Sequence, residues 1–273
     1  MMPALRNRGA PSRLSEGVIA APIGGINTIS AGGAMPATDC IQAVNLIAAE
    51  YGLRTRLGSR EWCTGLDAVG NLEVRSILPF TGSAKNGAAD RLFACTTSGI
   101  WNVSSSSAAP LLVLAFSTQS GEAGFGVSHG MVTSAGHFLL YCDEENGYHV
   151  YSESSGTWAK VTMGTAAGQV AAAASTTPAS VDPANFVYVT VFKNRVFFVE
   201  KNSARAWYLP AGAVFGGGTT FGVQPLNLGQ VFKAGGPLVG LWNWTLDAGA
   251  GLDDQLVAVS GGGDVAIYAG TDP

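Results

Sequence analysis

A two-strand unit recurs four times in this chain, and it limits the possible fold more than any other feature. Each copy has an apolar run of about four residues, a short polar or glycine-rich turn, and a second run that carries an aromatic residue. The copies occupy residues 92–103, 138–151, 196–209 and 256–268, so their starts are 46, 58 and 60 residues apart. Repeats of this spacing predict an all-β fold, a β-propeller-like array of antiparallel blades.

Each hairpin is expected to be the inner pair of a blade, stacked on its neighbours because it cannot bury both faces alone. An earlier unit at Leu72 to Phe80 would raise the number of blades to about five. The spacing beyond a usual blade length indicates loop insertions, of which residues 164–183, rich in Ala, Ser and Thr, are one.

One aromatic residue lies in the second strand of each repeat. These residues are Trp101, Tyr148, Trp207 and Tyr268. Because they occupy similar places in the repeats, we expect them to pack between blades. The alternative is a stacking platform for a ligand or for single-stranded nucleic acid.

The segment before the repeats divides into two parts. Residues 1–37 are rich in Gly, Ala and Pro without any period, and they predict an extended N-terminal arm. Residues 38–273 are expected to form the body. One short helix is predicted at its start, capped by Thr38 or Asp39 and ending near Glu50, because Ile41, Val44 and Ile47 have helical spacing.

Composition excludes several classes of protein. The chain is 47% hydrophobic and only 12% charged, which is too apolar for a disordered protein. Its net charge of −4 argues against an electrostatic nucleic-acid binder. The longest strongly apolar run, Leu111 to Phe116, is too short for a membrane span, and residues 17–26 make a poor signal peptide. Synthesis in the cytoplasm without stable membrane insertion is therefore expected.

The search for catalytic motifs gives one match to G-x-S-x-G, at residues 126–130. In a hydrolase this motif places its serine on a sharp turn between a strand and a helix. A strand-like run, His137 to Tyr141, follows here instead, and the only later histidines are His137 and His149. We therefore interpret the glycines as loop residues between strands and predict no catalytic residues and no enzymatic activity.

Two acidic segments, residues 143–147 and 247–254, are the only clusters of carboxylates. Both lack the spacing of a calcium-binding loop, which favours solvated turns over an ion site, although that question stays open. Residues 152–158 resemble the Ser-x-Asp-x-Gly-x-x-Trp box of sialidase-like propellers, but they lack its Asp and are one residue shorter. They predict a blade-closing turn.

The four cysteines are widely scattered and form no zinc pattern or disulfide framework. They are Cys40, Cys63, Cys95 and Cys142. Buried free thiols are the expected state, and no metal or cofactor is predicted.

Two groups of stretches in the sequence carry a resemblance to a known family. The N-terminal ones are residues 21–27, 35–39, 52–58 and 64–66. The later ones are residues 191–203, 206–210 and 265–273, and the resemblance is most specific at residues 191–210. These stretches resemble the tail nozzle proteins of short-tailed bacteriophages, which are also called packaged-DNA stabilisation or tail tubular proteins. Family members are usually longer, and their distal nozzle part has no counterpart here, so the body is expected to be incomplete by comparison.

The resemblance implies a structural virion protein. Such proteins form a homo-oligomeric ring, a hexamer in this family, below the portal and adaptor proteins. The ring retains packaged DNA, conducts it during genome ejection through transient contact with the duplex, and docks tail fibre or spike proteins. Its location would be the phage tail in the virion. A weakly acidic conduit suits DNA passage, since a basic lining would hold the phosphates.

Two other functions remain open from the sequence. One is a propeller-type carbohydrate-binding or glycoside-cleaving tail-associated protein, which would need a pair of carboxylates in one pocket. The other is an interaction scaffold unrelated to any virus.

Overall fold

The structure, a computed structural model, describes residues 21–49, 52–66, 73–117, 126–174, 176–217, 222–247 and 252–270. The chain divides into two compact units, Met1–Arg60 and Glu61–Pro273. Within the described residues the only helical element is a single 3-10 turn at Pro183–Asn185. No described helix has the length and apolar character that a membrane span requires. The all-β class predicted from the sequence is confirmed.

The first unit contains two small β structures. Strands β1 (Gly25–Ile26) and β2 (Asp39–Cys40) pair in parallel, and strands β3 (Leu46–Ala49) and β4 (Gly52–Thr55) form an antiparallel hairpin. Asn27 ties β1 to β2, because its side-chain amide donates to the Asp39 carboxylate at 2.8 Å. Residues 1–20 of the predicted arm lie outside the described part of the chain.

The predicted short helix is wrong. Its residues form β2 and β3 instead, and its expected end at Glu50 lies outside the described residues. Asn45 has a φ of 58°, a left-handed conformation that interrupts a right-handed helix. Ile41 and Val44, whose spacing suggested an amphipathic helix, are 68% and 62% exposed, so no buried face existed for a helix to pack on.

The described residues of the second unit form four antiparallel sheets that follow one another along the chain, each with its strands in sequence order. The first sheet contains β5 (Ser76–Phe80), β6 (Arg91–Thr96), β7 (Gly99–Asn102) and β8 (Leu111–Ala115). The second contains β9 (Val127–Thr133), β10 (Gly136–Asp143), β11 (Gly147–Ser152) and β12 (Thr157–Lys160). The third contains β13 (Phe186–Phe192), β14 (Arg195–Glu200), β15 (Arg205–Tyr208) and β16 (Gln224–Asn227). The fourth contains β17 (Leu238–Asp247), β18 (Leu252–Ser260) and β19 (Val265–Tyr268).

The four predicted hairpins are present, as β6–β7, β10–β11, β14–β15 and β18–β19. In the first three sheets they are the middle pair, as expected for the inner strands of a blade. The prediction of a separate earlier unit at Leu72 to Phe80 is wrong. Ser76–Phe80 is strand β5, which pairs with β6 and completes the first sheet, while Leu72 lies outside the described residues.

The sheets stack through three apolar cores, each shared by two consecutive sheets. The first junction buries residues such as Phe93 against Tyr141 and Trp158. The second buries Phe198 and Trp207 with residues of the second sheet. The third joins the third and fourth sheets. No core of described residues combines the first sheet with the fourth, so within this unit the stack has two ends.

The insertion predicted at residues 164–183 forms no named strand, but it does enter the protein interior. Val170 makes isolated bridges to Met163 and Gly216, and Ala172 bridges Val223. Val170 is fully buried in the second junction. This segment therefore fills space between the second and third sheets despite its low-complexity composition.

Candidate functional site

A polar network lies at the first junction and contains the residues that most resemble a reactive centre. The Tyr141 hydroxyl donates to Oδ2 of Asp143 at 2.9 Å and lies 3.2 Å from the Cys95 sulfur across the junction. Asp143 is fully buried and also accepts hydrogen bonds from the backbone N–H of Glu145 at 2.8 Å and from the Asn146 side chain at 3.2 Å. Its carboxylate therefore closes the β10–β11 turn and holds the tyrosine.

The acidic turn at residues 143–147 is thus only partly the solvated turn that the sequence predicts. Glu144 and Glu145 are exposed, whereas Asp143 and Asn146 are buried. The carbonyl of Glu144 accepts a hydrogen bond from the Lys201 ammonium at 2.7 Å, which connects the turn to the third sheet. The turn has a structural role between sheets.

Burial controls the protonation of the network. It raises the pKa of the Cys95 thiol to about 12, raises that of the Tyr141 hydroxyl, and lowers that of His149 to about 4. At neutral pH the thiol and the phenol keep their protons and the imidazole is uncharged. Neither the thiol nor the phenol is activated as a nucleophile.

The G-x-S-x-G segment lies in a strand and forms no nucleophile elbow. Ser128 is in the interior of β9 and pairs with Tyr141 of β10, which pairs in turn with His149 of β11. Adjacent strands are about 4.8 Å apart, so Ser128 and His149 are separated by about 10 Å with Tyr141 between them. His137 pairs with Val132 near the other end of β10. These residues form no catalytic triad.

The sialidase-like box is a turn, as predicted. Residues 152–158 join β11 to β12, with Gly156 at a φ of +66°. Trp158 is buried and packs edge-on against Phe93 of the first sheet, with ring centroids 5.3 Å apart. Glu153 accepts hydrogen bonds from the Ser83 amide and hydroxyl, which lower the pKa of its carboxyl. The box therefore ties the second sheet to the first.

The four repeat aromatics do not form a common platform. Tyr148 and Trp207 are fully buried in the second junction, which confirms the predicted packing between sheets for these two. Tyr268 is half-buried at the third junction. Trp101 is half-buried in the first sheet, and its indole N–H donates to the Thr96 hydroxyl at 3.1 Å.

All four cysteines are free, and the prediction of burial is confirmed for Cys95 and Cys142, whereas Cys40 and Cys63 are half-buried. Among the described residues, no three His, Cys, Asp or Glu side chains come together as a metal site. Residues 248–251 of the second acidic segment lie outside the described part. At its end, Asp254 accepts a hydrogen bond from the Thr245 hydroxyl at 2.7 Å.

One face of the fourth sheet is mostly apolar, and among the described residues much of it is exposed. Trp242, Val257 and Ile267 form a row across its three strands, and Val259 pairs with Val265 beside that row. The exposed fractions are large: 43% for Trp242, 46% for Trp244, 62% for Val265 and 53% for Ile267. We name these six side chains the fourth-sheet end face. Their neighbours in the same strands, such as Leu241 and Leu256, point the other way into the third junction.

The outward face of the first sheet is apolar as well. Ile77, Ala94, Trp101 and Leu112 form a row across its four strands, which we name the first-sheet end face. Ile77 is 54% exposed and Leu112 38%. A groove of about 420 Å³ adjoins the row and is lined by apolar side chains. The lining residues include Trp62, Leu66, Val74, Leu92 and Val103. Trp62 is held there by a hydrogen bond from its indole N–H to the Val103 carbonyl at 2.8 Å.

Sequence reasoning missed both end faces. A signal was present in the fourth sheet, where Val257 and Val259 alternate with Leu256 and Ala258, which are buried on the other face. Such alternation with apolar residues on both sides indicates a strand that is covered on both faces.

Comparisons of the chain with protein-family models, curated proteins and solved structures found no match.

Proposed function

We propose that this chain is a structural subunit of a short bacteriophage tail. It assembles into a homo-oligomeric ring below the portal and adaptor, retains the packaged genome and conducts it during ejection. The four stacked sheets are blades of a propeller-like body in this proposal. The sequence resemblance at residues 191–210 supports the assignment to a tail, and that stretch covers the turn that joins β14 to β15.

The observation that carries the proposal is that, among the described residues, the outer faces of both terminal sheets carry exposed apolar side chains, although Ala94 in the middle of the first sheet is only 2% exposed. In an array of stacked repeats, each unit contacts its neighbours, and a soluble array is closed at its ends by polar surfaces. Here the end faces carry Trp, Ile and Val side chains instead. Exposed apolar surface of this kind is typical of protein interaction sites. Neighbouring subunits that cover these two faces would remove their exposed apolar side chains from water.

The charges of the chain are compatible with a conduit for DNA. The formal net charge is −4. Cationic groups are partly used within the protein: Arg205 pairs with Glu200 at 2.7 Å, and Arg91 donates to the carbonyls of Ala88 and Asp90. A surface of this kind would release few counterions on meeting phosphates and would let duplex DNA slide.

The carbohydrate-cleaving alternative receives no support from the acidic turn. Asp143 is buried and its oxygens accept hydrogen bonds from its own turn and from Tyr141. A glycosidase needs two carboxylates that face a sugar. The fold class alone does not select between binding and structural roles.

The test is to locate the chain in purified virions of the phage that encodes it. Cryo-electron microscopy with an antibody label should place a ring of copies between the adaptor and the distal end of the tail. Particles that lack the chain should contain less nuclease-protected DNA per capsid, whereas capsid protein content should stay the same. Absence of the chain from infectious virions would contradict the proposal.

A further inference from the structure

We infer that the fourth-sheet end face of one copy packs on the first-sheet end face of a second copy, head to tail. This contact specifies how the proposed ring is built and in that sense rests on the proposed function. The occupant of each end face is thus the opposite end of the same chain.

The first ground is continuity with the packing inside the unit. Neighbouring residues of one strand serve opposite junctions: Leu139 of β10 contacts the first sheet's core and Leu140 the third sheet's. In β14, Phe198 faces the second sheet and Phe197 the fourth. Every internal sheet is therefore apolar on both faces. The first and fourth sheets also carry apolar side chains on both faces, but only one face of each packs against another sheet of the unit.

The second ground is that the two leftover faces match in chemistry. The fourth-sheet end face consists of Trp, Val and Ile side chains, and the first-sheet end face of Ile, Ala, Trp and Leu. The two rows contain no cationic side chain that would attract a polyanion. A second apolar sheet can desolvate them, as each internal junction does.

The third ground is shape. Trp242 and Trp244 both project from the fourth-sheet end face, and Trp242 has only part of its ring against Tyr188, with centroids 5.6 Å apart. The first-sheet end face has beside it an apolar groove of about 420 Å³. Tryptophan side chains that insert into pockets are frequent energetic centres of interfaces. We assign Trp244 and its neighbours as the side chains that enter this groove.

The contact joins two different surfaces, so it is heterologous. Heterologous contacts form a closed ring where the rotation between copies closes, and a filament where it does not. The same interface therefore gives the subunit a direct way to build a ring without any further partner.

The first test is site-specific disulfide formation between two differently tagged copies. One carries Ile267→Cys and the other Ile77→Cys, both in a background with Cys40→Ser and Cys63→Ala to remove the half-buried thiols. Cys63 lines the groove, and alanine keeps that lining apolar. Ile267 and Ile77 are 53% and 54% exposed. Mild oxidation should yield the mixed species. A control with Val132→Cys in place of Ile267→Cys, at a position that is 61% exposed on β9, should not yield it.

The second test measures self-association by analytical ultracentrifugation. Trp244→Arg should weaken association about thirtyfold or more, the size expected when an interface hot spot is lost. Val132→Arg is the matched control and should leave association within a factor of three. Trp244 is 46% exposed, so it also buries surface within the monomer, and circular dichroism with a thermal scan of the variant checks that it is folded.

The outcomes separate this inference from the proposed function. Three results would each overturn the head-to-tail contact. The chain could assemble without forming the mixed disulfide, or it could stay monomeric at all concentrations. A single chain that carries both cysteines could also form the disulfide within itself at high dilution. A mixed disulfide in a chain that is missing from virions would support the contact and contradict the tail assignment.

Discussion

Gly147 has a left-handed backbone conformation and lies in close contact with the 3-10 turn at Pro183–Asn185. It has a φ of +75°, and a Cβ at this position would lie 2.6 Å from the Pro183 carbonyl oxygen and from Cα of Ala184. We expect Gly147→Ala to lower the free energy of unfolding by about 3 kcal/mol, because left-handed strain and overpacking add. Urea denaturation followed by tryptophan fluorescence measures the loss.

Gly156 provides the control for this substitution. Its φ is +66°, but a Cβ there meets nothing within 4 Å. Gly156→Ala should therefore cost only the conformational part, about 1 kcal/mol. Equal losses for the two variants would mean that the close approach of the 3-10 turn to Gly147 contributes nothing.

His149 should make stability depend on pH. Burial lowers its pKa from 6.5 to about 4, so the unfolded chain binds a proton more readily between these values. Protonation of His149 does not affect the free energy of unfolding above about pH 6.5. Below that pH it lowers the free energy of unfolding, by about 2 to 3 kcal/mol at pH 4.5. Unfolding free energies from pH 7.5 to 4.5 should fall less steeply in His149→Gln than in the unmodified chain.

A second histidine serves as the comparison for this titration. His129 also has its pKa lowered by burial, but its side chain is only half-buried. His129→Gln should flatten the pH dependence less than His149→Gln does. Curves that run parallel for all three proteins would contradict the assignment of the titration to His149.

At the level of strands and helices, local sequence patterns predicted the hairpins correctly. They failed where contacts with distant residues determine the secondary structure or the burial of a segment. Each hairpin is specified by two apolar runs and a turn, all within about fifteen residues, so the sequence contains what is needed. The helix at residues 38–50 failed because its apolar spacing had no core to face, and Asn45 adopts a left-handed conformation. Burial of Asp143 also escaped prediction, since it depends on the first sheet.

The segment 164–183 gives a prediction on the role of an irregular element. Val170 is fully buried between the second and third sheets, although its sequence surroundings resemble a solvated loop. Val170→Ala should reduce the free energy of unfolding by about 2 kcal/mol, from lost apolar burial and a residual cavity. Val231→Ala makes the same chemical change at a residue that is 56% exposed and should cost well under 1 kcal/mol. Similar urea midpoints for both variants would show that the segment is not part of the core.

For the whole molecule, the sequence predicted the class of fold and the repeated unit but not the candidate interaction site. Which face of a sheet is covered depends on which other sheets pack against it. A short stretch of sequence does not show which sheets pack together. A low share of charged residues is typical of the core of assembly contacts, but it does not show where on the protein such a contact lies. Only the arrangement of the four sheets shows that, among the described residues of the second unit, most exposed large apolar residues, such as Trp244 and Ile267, lie in or beside the first and fourth sheets.

The charge of the whole chain gives the last prediction, on DNA. With 15 basic and 19 acidic residues, the chain has no overall surplus of positive charge to attract phosphates. Non-specific DNA-binding proteins reach dissociation constants of about 10⁻⁴ to 10⁻⁶ M at physiological salt, and we expect this chain to bind a linear duplex more weakly than about 10⁻⁴ M. Fluorescence anisotropy with a labelled duplex at low and physiological salt measures this, with a basic DNA-binding protein as the positive control. Tight binding that falls steeply with salt would reveal a concentrated basic surface, and a conduit that grips its phosphates would oppose the ejection of the genome.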